Sequence, residues 1–176
     1  MTTFNRNQIF PNFVTLLGLF SGFYSIVATL NGNFTVAAYA TILAFIFDGL
    51  DGKIARLLNA TSDFGIQLDS LADIVSFGIA PALLVYNWAL HPYGRIGWMA
   101  AFLYVACGAL RLARFNVQTK TLSGKYFVGL PIPAAAGAIV TSVLFTKEVF
   151  GSPQSIEVPI WFAFTIYLLA FLMVSR

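Results

Sequence analysis

The chain has 176 residues, of which 59% are hydrophobic and 10% are charged, and its formal net charge is +3. Soluble domains contain about 25% charged residues, so this composition excludes an ordinary water-soluble globule. We expect an all-α integral membrane protein, with the lipid bilayer as its surroundings and no nucleic acid among its partners.

Six long apolar segments follow one another along the chain. A helix needs about 20 residues to cross a hydrocarbon core of about 30 Å. Short stretches rich in Gly, Pro and Asn separate the segments, and no linker or repeat divides them. The sequence therefore predicts one membrane domain covering residues 1–176, with six transmembrane helices at 12–30, 34–58, 64–89, 96–114, 130–150 and 158–174. Residues 2–10, which precede Pro11, predict a short interfacial helix.

The basic residues indicate how these helices are oriented. With the N-terminus in the cytoplasm, eight of the ten Lys and Arg residues fall on the cytoplasmic side, and Arg95 and Lys147 fall outside. Cytoplasmic loops of membrane proteins carry an excess of Lys and Arg. We therefore expect both termini to lie in the cytoplasm. Because the chain ends directly after the sixth segment, we also expect that a longer natural tail is missing.

Acidic residues are concentrated in one stretch. Five of the seven lie between residues 47 and 73, where the second and third segments meet. At about 100° per residue, Asp48 and Asp51 share one face of the second helix, and Asp69 and Asp73 share one face of the third. The connection around residues 59–62 is short and polar. We therefore expect the two helices to pack antiparallel and to bring the four carboxylates together.

Four clustered carboxylates need positive charge. Each Asp at membrane depth costs about 2.5–3.5 kcal/mol, and neighbouring carboxylates repel one another. A lone Asp at a helix end is better explained as an interfacial residue paired with Lys or Arg. Here, however, Lys53 points away from the face of Asp48 and Asp51, and Arg56 supplies a single charge. Because hard divalent cations prefer oxygen ligands, we predict a site for Mg²⁺ or Mn²⁺, with Ca²⁺ as a third candidate.

Small residues lie beside the acidic faces. Gly52 and Ala55 share the acidic face of the second helix, and Gly65 lies one turn before Asp69. Small residues in membrane helices often serve close packing between helices. Next to a metal site they also let a phosphorylated ligand approach the backbone. Both interpretations stay open at this point.

The order of these residues resembles a known signature. The motif DGLDGKIAR at residues 48–56 is followed after eight residues by Gly65, after three more by Asp69 and after a further three by Asp73. On this basis the chain is identified as a member of the CDP-alcohol phosphotransferase family. The segments LDSLADIVSFGIAPA, GALRLARFNV, GLPIPAAAG and FLMVSR are most similar to family members that use L-serine as the acceptor.

The resemblance implies an activity and a set of roles. The activity is transfer of a phosphatidyl group from CDP-diacylglycerol, or an ether-linked equivalent, to L-serine with release of CMP. Asp48, Asp51 and Asp69 would hold two divalent metal ions, and Asp73 would complete the metal site and act as general base for the incoming hydroxyl. The resemblance further implies a homodimer in the cell membrane, with its active site facing the cytoplasm.

The same resemblance implies a binding site for the CDP-lipid. Its residues would be Asn12, Thr15, Gly52, Ala55, Arg56, Ser62 and Gly65. Arg56 would pair with phosphate oxygens, a task that suits its planar fork of donors. Asn12, which follows Pro11, is equally well explained as a helix cap.

The serine acceptor carries a carboxylate that needs a cationic partner. Arg111 and Arg114 are candidates for this role, assisted by Asn116, because they lie at the cytoplasmic end of the fourth segment. The two arginines are equally well explained by binding to anionic lipid headgroups or by the orientation rule.

Two other functions stay open. Another acceptor of the same family, such as glycerol 3-phosphate or an inositol phosphate, would need a phosphate-binding cluster in place of a carboxylate site. A divalent-cation transporter would also place acids in the membrane. It predicts acids distributed through the depth of the bilayer and repeated halves, whereas this chain has one acidic cluster and no visible inverted repeat.

Overall fold

Every regular element of the described chain is helical. The computed structural model describes residues 9–58, 60–121, 129–151 and 161–175. Its α-helices are α1 (Ile9–Leu30), α2 (Phe34–Leu57), α3 (Asp63–Asp73), α4 (Ala80–Val85), α5 (Gly94–Thr121), α6 (Ile132–Phe150) and α7 (Trp161–Val174). Two π-helical segments, Ile74–Ile79 and Tyr86–Leu90, and a 3₁₀ turn, His91–Tyr93, join α3, α4 and α5. The prediction of an all-α protein is confirmed over these residues.

The helices are apolar enough for a bilayer. Within the described ranges, four helical stretches are long and apolar enough to cross a membrane, namely Ile9–Leu30, Phe34–Leu57, Asp63–Val117 and Ile132–Val149. The third stretch spans 55 residues and contains the 3₁₀ turn. Directly after that turn, Gly94 adopts a φ of 52°, which other residues rarely adopt, and α5 packs back against α4. The chain therefore changes direction at residues 91–94.

Several helices begin or end at residues other than the predicted ones. α1 already includes Ile9, Phe10 and Pro11, so its described part extends three residues ahead of the predicted start at residue 12. The predicted interfacial helix at 2–10 lies almost wholly outside the described residues. α5 continues to Thr121, beyond the predicted end at residue 114, because hydropathy marks the apolar part of a helix and not its polar extension.

Small residues hold α1 against α2. The facing surfaces include Gly18, Ser25, Ala37 and Thr41, all of which are buried. Ser25 Oγ lies 2.9 Å from the Ala37 carbonyl oxygen and 3.0 Å from Thr41 Oγ1. Small residues let helix backbones approach closely, and hydroxyl groups add hydrogen bonds between membrane helices. This packing brings the N-terminal end of α1 beside the C-terminal end of α2, where the acidic residues lie.

The other helices enclose an apolar core. Its fully buried side chains include Phe77, Leu84, Tyr104, Ile139 and Met173. Hydrogen bonds fix the last turn of α7 to this core. The Leu130 amide donates to the Leu172 carbonyl oxygen at 3.0 Å, and Arg114 Nη1 donates to the Val174 carbonyl oxygen at 3.3 Å. The end of α7 is therefore tied to α5 and to the residues that precede α6.

Candidate active site

Three carboxylates meet between α2 and α3. Asp48 and Asp51 lie in the last part of α2, and Asp69 lies in α3. One carboxylate oxygen from each of them lies within 4.8 Å of the others. Oxygen atoms grouped in this way can bind one cation in common. The structure thus brings the acidic faces of α2 and α3 together, as the residue spacing predicts.

Asp73 adds a fourth carboxyl group from the next turn of α3. Its carboxyl group lies beside that of Asp48. All four predicted aspartates line one small cavity, together with residues of α1 and of the first π-helical segment. Asp73 therefore reaches the same cavity as the three clustered carboxylates, although it does not belong to their closest group.

Asp51 shows the clearest need for a positive charge. Its side chain is 6% exposed, and its Oδ2 atom is buried without a hydrogen-bond partner among the described residues. The Thr15 hydroxyl and the Gly52 amide lie near its carboxyl group, but the Thr15 hydroxyl donates to the Pro11 carbonyl oxygen at 3.1 Å. A buried carboxylate oxygen without a partner is costly unless a positive charge compensates it. A divalent cation held by Asp48, Asp51 and Asp69 fits this requirement, because hard cations take carboxylate oxygens as ligands.

A second cavity, of about 160 Å³, adjoins the carboxylates. It lies between α1, the end of α2 and the start of α3, and Asp51 and Asp69 form part of its wall. Six of the seven residues predicted to bind the CDP-lipid line it, namely Asn12, Thr15, Gly52, Ala55, Ser62 and Gly65. Four further lining residues were not predicted, namely Pro11, Ala60, Thr61 and Ile66. The cavity therefore combines carboxylates with small and polar side chains.

Of the two glycines in the wall of this cavity, only Gly65 leaves no room for a larger side chain. A Cβ added at Gly65 would lie 3.4 Å from Asn12 Oδ1 and 3.2 Å from Ser62 Oγ, so it would crowd the wall. A Cβ at Gly52 would meet no atom within 4 Å. Ser62 caps α3, because its Oγ accepts a hydrogen bond from the Gly65 amide at 3.0 Å. Asn12 lies inside α1, which begins at Ile9, and so does not cap that helix.

Arg56 lies at the edge of the site. It is the one predicted CDP-lipid residue that does not line the cavity of about 160 Å³. The side chain is exposed, and its Nε atom donates to the Gly52 carbonyl oxygen at 2.9 Å. This hydrogen bond holds the guanidinium group against the end of α2. The side chain therefore has to turn from this position to reach a ligand inside the cavity.

The three residues predicted to bind serine lie in different surroundings. Arg111 of α5 is half-buried and close enough to Asp73 to interact with it electrostatically. Asn116 Nδ2 donates to Ser70 Oγ at 3.0 Å, which ties α5 to α3. Arg114 instead reaches the end of α7 through the hydrogen bond described above. Arg111 and Asn116 are therefore next to the acidic helix, whereas Arg114 points towards another part of the molecule.

The prediction from sequence missed five residues that line the acidic cavity, namely Gly18, Ala44, Ala72, Ser76 and Phe77. Ser76 and Phe77, in the first π-helical segment, line it beside Asp73. Ser76 follows Asp73 by three residues, so helical spacing already places the two side chains on one face. Tyr104, whose hydroxyl donates to the Phe77 carbonyl oxygen, has no such local signal, because this contact joins residues that are distant along the chain.

Comparisons with known proteins agree with one another. A profile of the CDP-alcohol phosphatidyltransferase family matches residues 8–174. A CDP-diacylglycerol-serine O-phosphatidyltransferase of Helicobacter pylori is 43% identical over 172 residues, which cover 98% of this chain and 72% of that protein. An archaetidylserine synthase of Methanothermobacter thermautotrophicus is 43% identical over 131 residues, which cover 73% of this chain and 55% of that protein. A CDP-diacylglycerol-serine O-phosphatidyltransferase of Saccharomyces cerevisiae is 40% identical over 149 residues, which cover 77% of this chain and 53% of that protein.

Proposed function

The chain belongs to the CDP-alcohol phosphatidyltransferase family, and from this premise we propose that it transfers a phosphatidyl group from CDP-diacylglycerol, or an ether-linked equivalent, to L-serine with release of CMP. The observation that carries the proposal is the grouping of Asp48, Asp51 and Asp69 within 4.8 Å, beside a cavity lined by small and polar residues. Relatives named for serine transfer support the choice of acceptor.

The four aspartates are assigned to metal binding. Asp48, Asp51 and Asp69 would hold the metal and Asp73 would complete the site, with Mg²⁺ or Mn²⁺ as two divalent ions and Ca²⁺ as a third candidate. When bound, such ions would supply positive charge against the diphosphate of the donor and the departing CMP. The buried oxygen of Asp51, which has no hydrogen-bond partner among the described residues, supports this assignment.

The CDP portion of the donor is assigned to the cavity of about 160 Å³. Asn12, Thr15 and Ser62 offer hydrogen-bonding groups to the nucleotide. Gly52, Ala55 and Gly65 allow the diphosphate to approach the backbone, because they present little or no side chain. Arg56 pairs with phosphate oxygens after turning from its position against the end of α2.

Asp73 is assigned as the general base. The hydroxyl oxygen of serine forms a bond to the lipid-side phosphorus, the bond from that phosphorus to CMP breaks, and Asp73 takes the hydroxyl proton. The position of Asp73 supports this role, since its carboxyl group lines the acidic cavity but lies outside the closest group of three carboxylates.

Arg111 is the better of the two candidate arginines for the serine carboxylate. It lies near Asp73, so a serine bound between the two residues would offer its carboxylate to the arginine and its hydroxyl to the aspartate. Asn116 assists from the end of α5. Arg114 has a structural function in this proposal, because it is hydrogen-bonded to the end of α7.

The arrangement in the membrane completes the proposal. A single CDP-alcohol phosphotransferase domain at residues 1–176 crosses the cell membrane six times, with both termini and the active site on the cytoplasmic side. The change of direction at residues 91–94 supports counting Asp63–Val117 as two spans. The excess of Lys and Arg near the acidic end supports the orientation. A homodimer is proposed from the family resemblance.

One assay tests the function directly. Purified protein is given CDP-diacylglycerol and a panel of alcohols, and CMP and the lipid product are measured. We expect CMP release that depends on L-serine, with phosphatidylserine as the product. Turnover with glycerol 3-phosphate or an inositol phosphate, and none with serine, would contradict the acceptor. Metal flux into liposomes without CMP release would favour a cation transporter instead.

A further inference from the structure

The first π-helical segment, Ile74–Ile79, begins directly after Asp73. Ser76 and Phe77 of this segment form part of the wall of the acidic cavity. A π-helix has a wider turn than an α-helix, so it changes the direction in which the preceding and following side chains point. The conformation of this segment therefore decides where the Asp73 carboxyl group lies relative to the other three aspartates.

Pro81 gives a physical reason for the irregular helix. In a regular α-helix, the amide of residue 81 would donate to the carbonyl oxygen of Phe77, but proline has no amide hydrogen and its ring crowds that carbonyl group. The Tyr104 hydroxyl donates to the Phe77 carbonyl oxygen at 3.0 Å. Tyr104 is 0% exposed and Phe77 is 1% exposed, so water does not reach this bond. A donor from α5 thus compensates for the donor that the sequence removes from the helix.

α1 holds the same segment from the other side. Ser76 Oγ donates to the Gly18 carbonyl oxygen at 3.3 Å. A Cβ added at Gly22 would lie 2.6 Å from Ser76 Cα, so the two backbones are in direct contact there. The π-helical segment is therefore fixed between α1 and Tyr104 of α5.

We propose that Tyr104 is a positioning residue for the transfer reaction, which acts by holding the Phe77 carbonyl group and thereby setting the place of Asp73 in the acidic cavity. This inference rests on the proposed function, in which Asp73 takes the proton of the acceptor. Tyr104 itself touches neither substrate. Asp73 lies four residues before Phe77, whereas the nucleotide cavity lies at the start of α3. A displacement of the segment should therefore move Asp73 more than it moves the residues of that cavity.

The test is Tyr104→Phe, which keeps the ring and removes the donor. Because misplacing a catalytic group by about 1 Å can cost about 10²-fold, we expect kcat per folded enzyme to fall about 10- to 10²-fold. The KM for CDP-diacylglycerol should stay within about twofold, because the nucleotide cavity lies at the start of α3. Tyr24→Phe, at an exposed tyrosine of α1, is the matched control and should leave both kcat and this KM unchanged.

A second variant covers the case in which Tyr104→Phe does not fold. Gly22→Ala displaces the same segment from the side of α1 and should give the same loss of kcat with little change in KM. Gly137→Ala, where the nearest atom to the added Cβ is Phe45 Cζ at 3.8 Å, is its control. Activities are divided by the amount of monodisperse protein and measured well below the melting temperature, so that a purely structural role would lower the melting temperature without lowering kcat.

The possible outcomes distinguish the positioning role of Tyr104 from the proposed function of the protein. An active wild-type enzyme and a folded Tyr104→Phe variant with unchanged kcat would overturn the positioning role alone. A loss confined to the KM for CDP-diacylglycerol would also overturn it, because that result would place the effect in the nucleotide cavity. A wild-type enzyme that releases no CMP with serine would overturn the proposed function, and the positioning role with it.

Discussion

Two cavities of this protein differ in the chemistry of their walls, and the candidate site adjoins the smaller one. The cavity between α6 and α7 has a volume of about 340 Å³, against about 160 Å³ for the one beside the aspartates. Yet its wall is apolar, and its two hydroxyl groups are satisfied within their own helices. Ser142 Oγ donates to the Ala138 carbonyl oxygen and Thr165 Oγ1 to the Phe162 carbonyl oxygen. The smaller cavity is instead lined by Asp51, whose buried Oδ2 atom has no such partner among the described residues. A buried carboxylate oxygen without a partner, and not volume, distinguishes this cavity from the larger one.

Removal of divalent metal should have the largest effect, because the carboxylates that would bind a cation adjoin the smaller cavity and not the larger one. Because the three clustered carboxylates require a cation, excess chelator should lower serine-dependent CMP release by about 10³-fold or more, and Mn²⁺ or Mg²⁺ should restore it. The measurement is CMP release before and after addition of the metal. The same chelator saturated with metal in advance is the control. Full activity after prolonged chelation would contradict the metal site.

Asp73→Asn should slow the chemical step much more than it weakens substrate binding. Asparagine keeps the size of the side chain but does not take a proton at neutral pH, so kcat should fall about 10²-fold or more. The affinity for CDP-diacylglycerol should stay within about tenfold. Asp63→Asn, at an exposed position at the start of α3, is the control. Near-normal kcat in Asp73→Asn would show that another group accepts the proton.

Arg56→Lys asks whether a residue at the edge of the smaller cavity contributes to donor binding. Lysine keeps the charge but loses the two-pronged contact with phosphate, so we expect the KM for CDP-diacylglycerol to rise about tenfold, the effect of losing one charge-assisted hydrogen bond of about 1.5 kcal/mol. The KM for serine should change less. Lys53→Ala, at an exposed position of the same helix, serves as the control. An unchanged KM for the donor would make Arg56 an interfacial charge only.

Gly65→Ala tests the wall of the smaller cavity directly. The added methyl group crowds Asn12 and Ser62, and an overpacking cost of about 1 kcal/mol corresponds to a rise of about fivefold in the KM for CDP-diacylglycerol. Initial rates over a range of donor concentrations measure this effect. If the KM for the donor did not change, the nucleotide would have to lie elsewhere.

Ser142→Ala, in the larger cavity, should have the smallest effect. Its hydroxyl group only bonds the carbonyl of the preceding turn, so kcat and KM should stay within about twofold and the free energy of unfolding within about 0.5 kcal/mol. Melting temperature in detergent and the CMP assay check this pair of expectations. A tenfold loss of activity would mean that the larger cavity takes part in the reaction, and the distinction between the two cavities would fail.

The parts of the site that follow from helical spacing could be predicted from the sequence. Asp48, Asp51 and Asp69 are such a case, because α-helical geometry fixes the face on which each side chain lies. The all-α fold could be predicted from the low content of charged residues and the long apolar segments. The surroundings of Arg56 and Arg114 could not be predicted, because a long arginine side chain has many rotamers and can reach several different hydrogen-bond partners. Tyr104 could not be predicted either, because its contact with Phe77 depends on how α5 packs against an irregular turn.

The turn between α1 and α2 is only three residues long, and the small residues of the two helices pack directly against one another. Synthesis proceeds from the N-terminus, so this hairpin is complete before α3 leaves the ribosome. We therefore expect Asp48 and Asp51 to enter the membrane first, and Asp69 and Asp73 to join them only when α3 is inserted. On this expectation the charge of the site is assembled in two stages during biogenesis, and the need for a cation is greatest at the second stage.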